Sequence, residues 1–175
     1  MAADVEQFTQ LYDRYVERIY TFVYYRVTHR ETAEDLTSSV FLKALAAHKG
    51  FDGKNPQAWL YRIARNTVID HYRTHRPNAD LDTALDVRSG DDVQSRVDKR
   101  LALEQIRAEL AKLPPDQQDI ITLRVWDGLT HQEISAIMGK SEAACKMALS
   151  RALGALQTAL PFSALLLFLT FPHHV

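Results

Sequence analysis

The tightest constraint on the fold is the punctuation of residues 130–153, which divides the stretch into two short helices and a turn. Thr130 and Glu133 stand at capping-box spacing: the hydroxyl accepts from the Glu133 amide while the carboxylate reaches back to the Thr130 amide. Ile134, Ile137 and Met138 follow as an inward stripe, and Gly139 supplies the turn. Ser141 then caps a second helix with Cys145, Ala148, Leu149, Ala152 and Leu156 on its buried side. Glu142, Ala143, Lys146, Met147, Ser150 and Arg151 are left outward, where a helix in a DNA major groove carries its reading side chains. The spacing also fits a helical hairpin inside an ordinary bundle, because a helix-turn-helix is recognised by its context.

That context is helical almost throughout. Phe8, Leu11, Tyr12, Tyr15, Ile19, Phe22, Val23 and Val27 recur at steps of three and four, one face of a long helix. Thr28 and Glu31 are spaced as a second capping box, opening a helix to about Ala46 with Ala33, Leu36, Val40, Phe41 and Ala44 inward. Gly50 to Lys54 is a loop, and Asn55-Pro56 starts a third helix with an N-cap and a proline where no amide hydrogen is missed. Trp59, Leu60, Ile63, Ala64 and Val68 form its core side, and Pro77 ends it.

Beyond Pro77 the composition shifts. Asp80, Asp82, Asp86, Asp91 and Asp92 among small residues and Gly90 read as a flexible acidic linker. A second helical domain begins near Val97, with Leu101, Ile106, Leu110 and Leu113 on one stripe. Pro114-Pro115 breaks that helix and starts another, carrying Ile120, Ile121, Leu123 and Trp126 to an Asp127-Gly128 turn. The expected fold is all-α: a three-helix bundle over 1–77, a linker over 78–96, a four-helix domain with the helix-turn-helix over 97–158, and an apolar tail over 159–175.

Charge narrows the partner. The chain is 46% hydrophobic with a net charge of −1, so it can build a core but has no global attraction to nucleic acid; any such binding must rest on local basic faces. In the third helix Arg62, Arg65, Arg73 and Arg76 stand against one acid, Asp70, with His71 and His75 as further donors and Trp59, Tyr61, Asn66 and Tyr72 between them. Alone, that helix reads as a solvated basic face over an aromatic core. Beside a candidate major-groove reader it reads as a surface for unpaired or distorted DNA, since arginines neutralise phosphates and aromatic faces stack bases.

Signs of enzyme chemistry are weak. His71 and His75 near Asp70 have a spacing that suits zinc, but further ligands are not evident, so neither a metal site nor a cofactor is expected. Nothing resembles a phosphate-cradling glycine loop or a nucleophile with its base. The single cysteine, Cys145, fits a reducing compartment, and the polar, acidic opening Met1 to Glu6 is unlike a cleavable leader; a cytoplasmic protein is expected.

Two ordered segments carry a family resemblance. Ala33 to Ala44 (AEDLTSSVFLKA) and Ala58 to Asp70 (AWLYRIARNTVID) resemble the sigma-2 domain of extracytoplasmic-function (ECF) sigma factors, and Leu113-Pro114-Pro115 through Leu153 is similar to their sigma-4 domain. The resemblance spans about Phe8 to Leu156 and implies a promoter-specificity subunit of bacterial RNA polymerase, not an enzyme in itself. It implies that the Ala33 to Leu45 helix docks on the polymerase clamp helices through Glu34 and Asp35, with Leu36 and Phe41 holding the helix in place. It implies that the loop Gly50 to Lys54 and the helix from Trp59 to Arg76 engage the −10 element. There Arg62, Arg65, Arg73 and Arg76 serve as cations and Asn66 as a base-edge reader. Ser141, Glu142, Ala143, Lys146, Met147, Ser150 and Arg151 then belong to a −35 reader, and family habit adds an anti-sigma factor as partner.

The chain also departs from the family pattern. Ser38-Ser39 stands where members usually carry Gln-Glu, and Ala144-Cys145-Lys146-Met147-Ala148 replaces the usual Thr-Val-Lys-Ser-Arg run. An arginine and two hydroxyls are therefore missing from the reading helix, which implies a weaker −35 contact or one more dependent on apolar contact with thymine methyls through Ala143 and Met147. The tail from Leu160 to Pro172 is strongly apolar but shorter than the ~20 residues of a spanning helix. Three roles are open to it: folding back over the second domain, association with itself or a regulator, or contact with a membrane surface. A stand-alone helix-turn-helix repressor or activator dimerising through that tail is the alternative function, and a helical adaptor without a DNA role is a third.

Overall fold

The computed structural model describes the backbone of residues 2–74 and 93–170 and the side chains of 6–74, 101–166 and 168–170. Arg76, His75, Pro77 and most of the expected linker lie outside these residues. Every regular element described is helical: α1 (Ala2–Val27), α2 (Arg30–Ala47), α3 (Pro56–Thr74), α4 (Val93–Lys112), α5 (Pro115–Ile121), α6 (His131–Met138), α7 (Glu142–Ala159) and α8 (Phe162–Thr170). A 3-10 turn at His48–Gly50 and a π-helical turn at Thr122–Trp126 complete the set. The chain divides into two compact units, residues 1–81 together with Ala136–Met138, and residues 82–135 together with 139–175.

In the first unit α1, α2 and α3 pack pairwise. Ile19, Val23, Leu60 and Tyr61 are wholly buried, and the Phe22 and Tyr61 rings meet edge to face at 5.4 Å, the arrangement that aromatic quadrupoles favour. Lys43 Nζ on α2 donates to Thr67 Oγ1 on α3 at 3.0 Å. Asn55 caps α3 by accepting from the Ala58 amide at 2.9 Å, and Pro56 occupies the first helical position.

The α1–α2 corner differs from the sequence expectation. Thr28 is not a cap; its φ is +58°, its amide donates to Tyr24 O at 2.8 Å, and its hydroxyl turns to Val27 O. The left-handed residue finishes α1, so the N-cap of α2 moves one place on, to His29, whose ring accepts from the Thr32 amide.

The second unit holds one helix more than expected and starts earlier, since α4 begins at Val93 and the apolar tail forms α8. The inward stripe of α4 is Leu103, Ile106 and Leu110, continued by Leu113 just past its end, whereas Leu101 is 53% exposed. Between α4 and α5 the diproline break is held by Gln118, whose amide nitrogen donates to Leu113 O at 2.7 Å. Ile120, Ile121, Leu123 and Trp126 are buried as the periodicity requires. α8 packs on α4 and α7, with Ala164 and Phe168 fully buried; Trp126 Nε1 donates to Phe168 O at 3.2 Å. The tail thus folds back on its own unit, leaving Phe162, Leu166 and Leu169 exposed. No helix among the described residues is long and apolar enough to cross a membrane.

The Thr130–Glu133 capping box is present in both directions, at 3.2 Å from the Glu133 amide to Thr130 Oγ1 and 2.8 Å from the Thr130 amide to the carboxylate. Thr130→Ala is expected to cost about 1 kcal/mol and to lower the Tm of a unit this size by roughly 4–8 °C, read by circular dichroism. An unchanged melting curve counts against the box as a stabilising contact.

Candidate nucleic-acid interface

Three helix faces of different chemistry carry the candidate residues. On α7 the sequence dictates which side is free: Cys145, Ala152 and Leu156 are buried, so Glu142, Ala143, Lys146, Met147, Ser150 and Arg151 point outward, and all of them are exposed. The approach to this helix is rigidly specified. Gly139 ends α6 at φ +64°, a left-handed conformation that costs glycine little, and its amide returns to Ser135 O. Two residues on, Ser141 caps α7 by accepting from the Ala144 amide at 3.2 Å. Ser135 Oγ donates to Lys140 O at 2.5 Å, and Lys140 Nζ meets the Asp116 carboxylate on α5, so the turn is held from both sides. Cys145 lies just behind this turn; burial pushes its thiol pKa up, partly offset by the Lys140 charge, with Asp116 and Glu142 adding smaller upward pushes. A buried, neutral thiol of this kind is a small core side chain.

On α3 the spacing of four, three and four brings Arg62, Asn66, Ile69 and Arg73 onto one exposed stripe, opposite the buried Leu60, Ala64 and Val68. Arg73 pairs with Asp70 at 3.2 Å, and Arg65 is half-buried beside the stripe. Trp59, half-buried at the start of the helix, stacks on Phe51 with ring centroids 4.3 Å apart and planes 15° from parallel, so one indole face is taken by the loop. That loop is itself shaped by Asp52, which accepts from the Lys54 amide at 3.0 Å, and by Gly53 at φ +75°. At the far end Tyr72 donates from its hydroxyl to Arg26 O, and the Arg26 guanidinium lies 5.8 Å above the Tyr72 ring. Burial raises the Tyr72 pKa, partly offset by the Arg26 charge, so the phenol keeps the proton it donates. Ile69 was not singled out by sequence reasoning; its place seven residues after Arg62 was the available signal.

The third face is on α2. Glu34, paired with Arg30 at 2.9 Å, and Asp35 are exposed, while Leu36 is half-buried and Phe41 is buried edge-on against Tyr12. Leu42 and Leu45, which sequence reasoning passed over, are 68% and 50% exposed and share the Asp35 and Ser38 side of the helix. Among the described residues no group of three or more His, Cys, Asp or Glu side chains could hold a metal ion.

Comparison with known proteins agrees with this division. Residues 11–77 match the family described as Sigma-70 region 2, and residues 103–156 match Sigma-70, region 4. The ECF RNA polymerase sigma factor SigX of Bacillus subtilis is 31% identical over 165 residues, which cover 87% of this chain and 82% of that one. The chain belongs to the ECF RNA polymerase sigma factors. Another member, BldN of Streptomyces coelicolor, is 38% identical over 172 residues; the present sigma factor spans 93% of itself but 64% of that relative's length. In fold it is similar to the sigma factor RpoE solved with the anti-sigma factor NepR from Bartonella quintana, at a TM-score of 0.72 and 24% identity over 88% of this chain and 96% of that one. Region 2 covers α2, α3 and most of α1, and region 4 ends at Leu156, which leaves α8 beyond the family pattern.

Proposed function

We propose that this sigma factor guides core RNA polymerase to promoters by three separate contacts. The α3 stripe and the Phe51–Asn55 loop engage the −10 element and the opened strand: Arg62, Arg65 and Arg73 meet phosphate, joined by Arg76, and Asn66 meets a base edge, with Trp59 supporting the loop. The α7 face enters the −35 major groove, where Lys146 and Arg151 serve phosphate or guanine, Ser150 and Glu142 form polar contacts, and Ser141 fixes the helix start. The α2 face docks on polymerase through Glu34 and Asp35 with the exposed Leu42 and Leu45, while Leu36 and Phe41 hold the helix from behind. A protein working this way performs no covalent chemistry of its own. An anti-sigma factor is a further partner on this reading, supported by the likeness to RpoE, which was solved with one.

The observation that carries the reading is that a basic stripe on one compact unit and the outward face of a capped reading helix on the other are both exposed. Two modest DNA contacts on one chain gain selectivity when a large partner holds both at high effective concentration. Family membership disfavours a stand-alone repressor. Run-off transcription from genomic fragments with purified core enzyme tests the choice: initiation at defined sites only when this protein is added is expected. Absence of initiation from every fragment, together with tight binding of duplex by the free protein, would overturn it.

A further inference from the structure

Met147 is the one large apolar side chain on the outward face of α7, and it is 55% exposed. Ala143 and Ala144, one turn earlier, are also exposed. Helical side chains lean back toward the helix N-terminus, so Met147 lies over the Ala143 turn and the three residues make one apolar patch. That patch occupies the N-terminal half of α7, the part of a recognition helix that meets base edges. Its neighbours are polar: Glu142, Lys146, Ser150 and Arg151 surround it. A thioether is a weak hydrogen-bond acceptor and cannot read the donors and acceptors of a base edge. The major groove offers one methyl group, on C5 of thymine. Two alanines beside Met147 leave no bulk to hold the helix away from it.

We infer that Met147 is a specificity-determining residue that reads a thymine methyl in the −35 element, with Ala143 and Ala144 permitting the close approach. This rests on the assignment of α7 to the −35 duplex. Lys146 and Arg151 hold the helix on the groove, and the methyl contact selects thymine over cytosine at one position.

The test replaces each thymine of the −35 element, one at a time and on either strand, by deoxyuridine, which removes the methyl and leaves every hydrogen-bonding group. Promoter binding and initiation are measured with holoenzyme reconstituted from the full chain. At one position the replacement is expected to weaken wild-type binding about fourfold, the factor for one methyl group taken out of water. Met147→Ala is expected to weaken binding to the thymine promoter by the same factor and to bind the deoxyuridine promoter no worse than wild type does. Met147→Leu retains most of the discrimination, and Lys146→Ala weakens both promoters alike. Wild-type indifference to deoxyuridine at every position, or undiminished discrimination by Met147→Ala, overturns the inference. Failure of the wild-type protein to initiate on unmodified DNA instead removes the −35 assignment beneath it.

Discussion

Phe168→Ala is expected to destabilise the second unit by about 3–5 kcal/mol, the usual cost of emptying a fully buried aromatic site. Phe168 has no exposed surface, its ring centroid lies 5.4 Å from that of Trp126, and its carbonyl accepts from the indole nitrogen. Against total stabilities of roughly 5–15 kcal/mol for a domain, this removes much of the margin. Urea unfolding followed by Trp126 fluorescence measures it, in a Trp59→Phe background because the chain has two tryptophans. Leu166→Ala, at a position 46% exposed on the opposite side of α8, is the control and should shift the midpoint little. Equal small shifts in both variants would mean that α8 does not contribute to the core.

The second large effect concerns DNA opening. Arg62 is exposed on the α3 stripe, so Arg62→Ala should leave the melting temperature close to that of the parent. Hydrogen bonds to charged groups contribute roughly 1.5–3 kcal/mol, which places the expected loss of open-complex formation at about 10- to 100-fold. If the phosphate belongs to an unpaired strand, the plot of log K against log salt becomes shallower by about 0.7; a duplex contact gives about 0.9. Open complexes at the parental level with an unaltered salt slope would remove Arg62 from the interface.

Features set by neighbours three or four residues apart were legible from the amino acids. The Thr130–Glu133 box and the Asn55 and Ser141 caps are each closed within three residues, and their geometry depends on little else. The outward set on α7 followed from helical period alone, whereas the basic helix was legible in composition and its Arg62–Asn66–Arg73 stripe only in the structure. Where the structure differs, competing local geometry or packing by another helix decided the matter. Thr28 has cap chemistry, yet the end of α1 takes it into a left-handed conformation and hands the cap to His29. Leu101 and Leu103 have the same side chain, and only packing distinguishes the exposed one from the buried one. Leu42 and Leu45 lie off the inward stripe of α2, and the fold leaves them 68% and 50% exposed.

The sequence by itself determined which segments are helical, which faces are basic or apolar, and to which family the ordered segments belong, because capping, periodicity and charge act locally along the chain. Only the tertiary structure decided what α8 packs against: Ser163 and Thr170 mark its outer side, but Trp126 and α4 supply the surface that buries Ala164 and Phe168. It also decided that Leu103 is buried while Leu101 faces out, because burial depends on which residues another helix happens to cover.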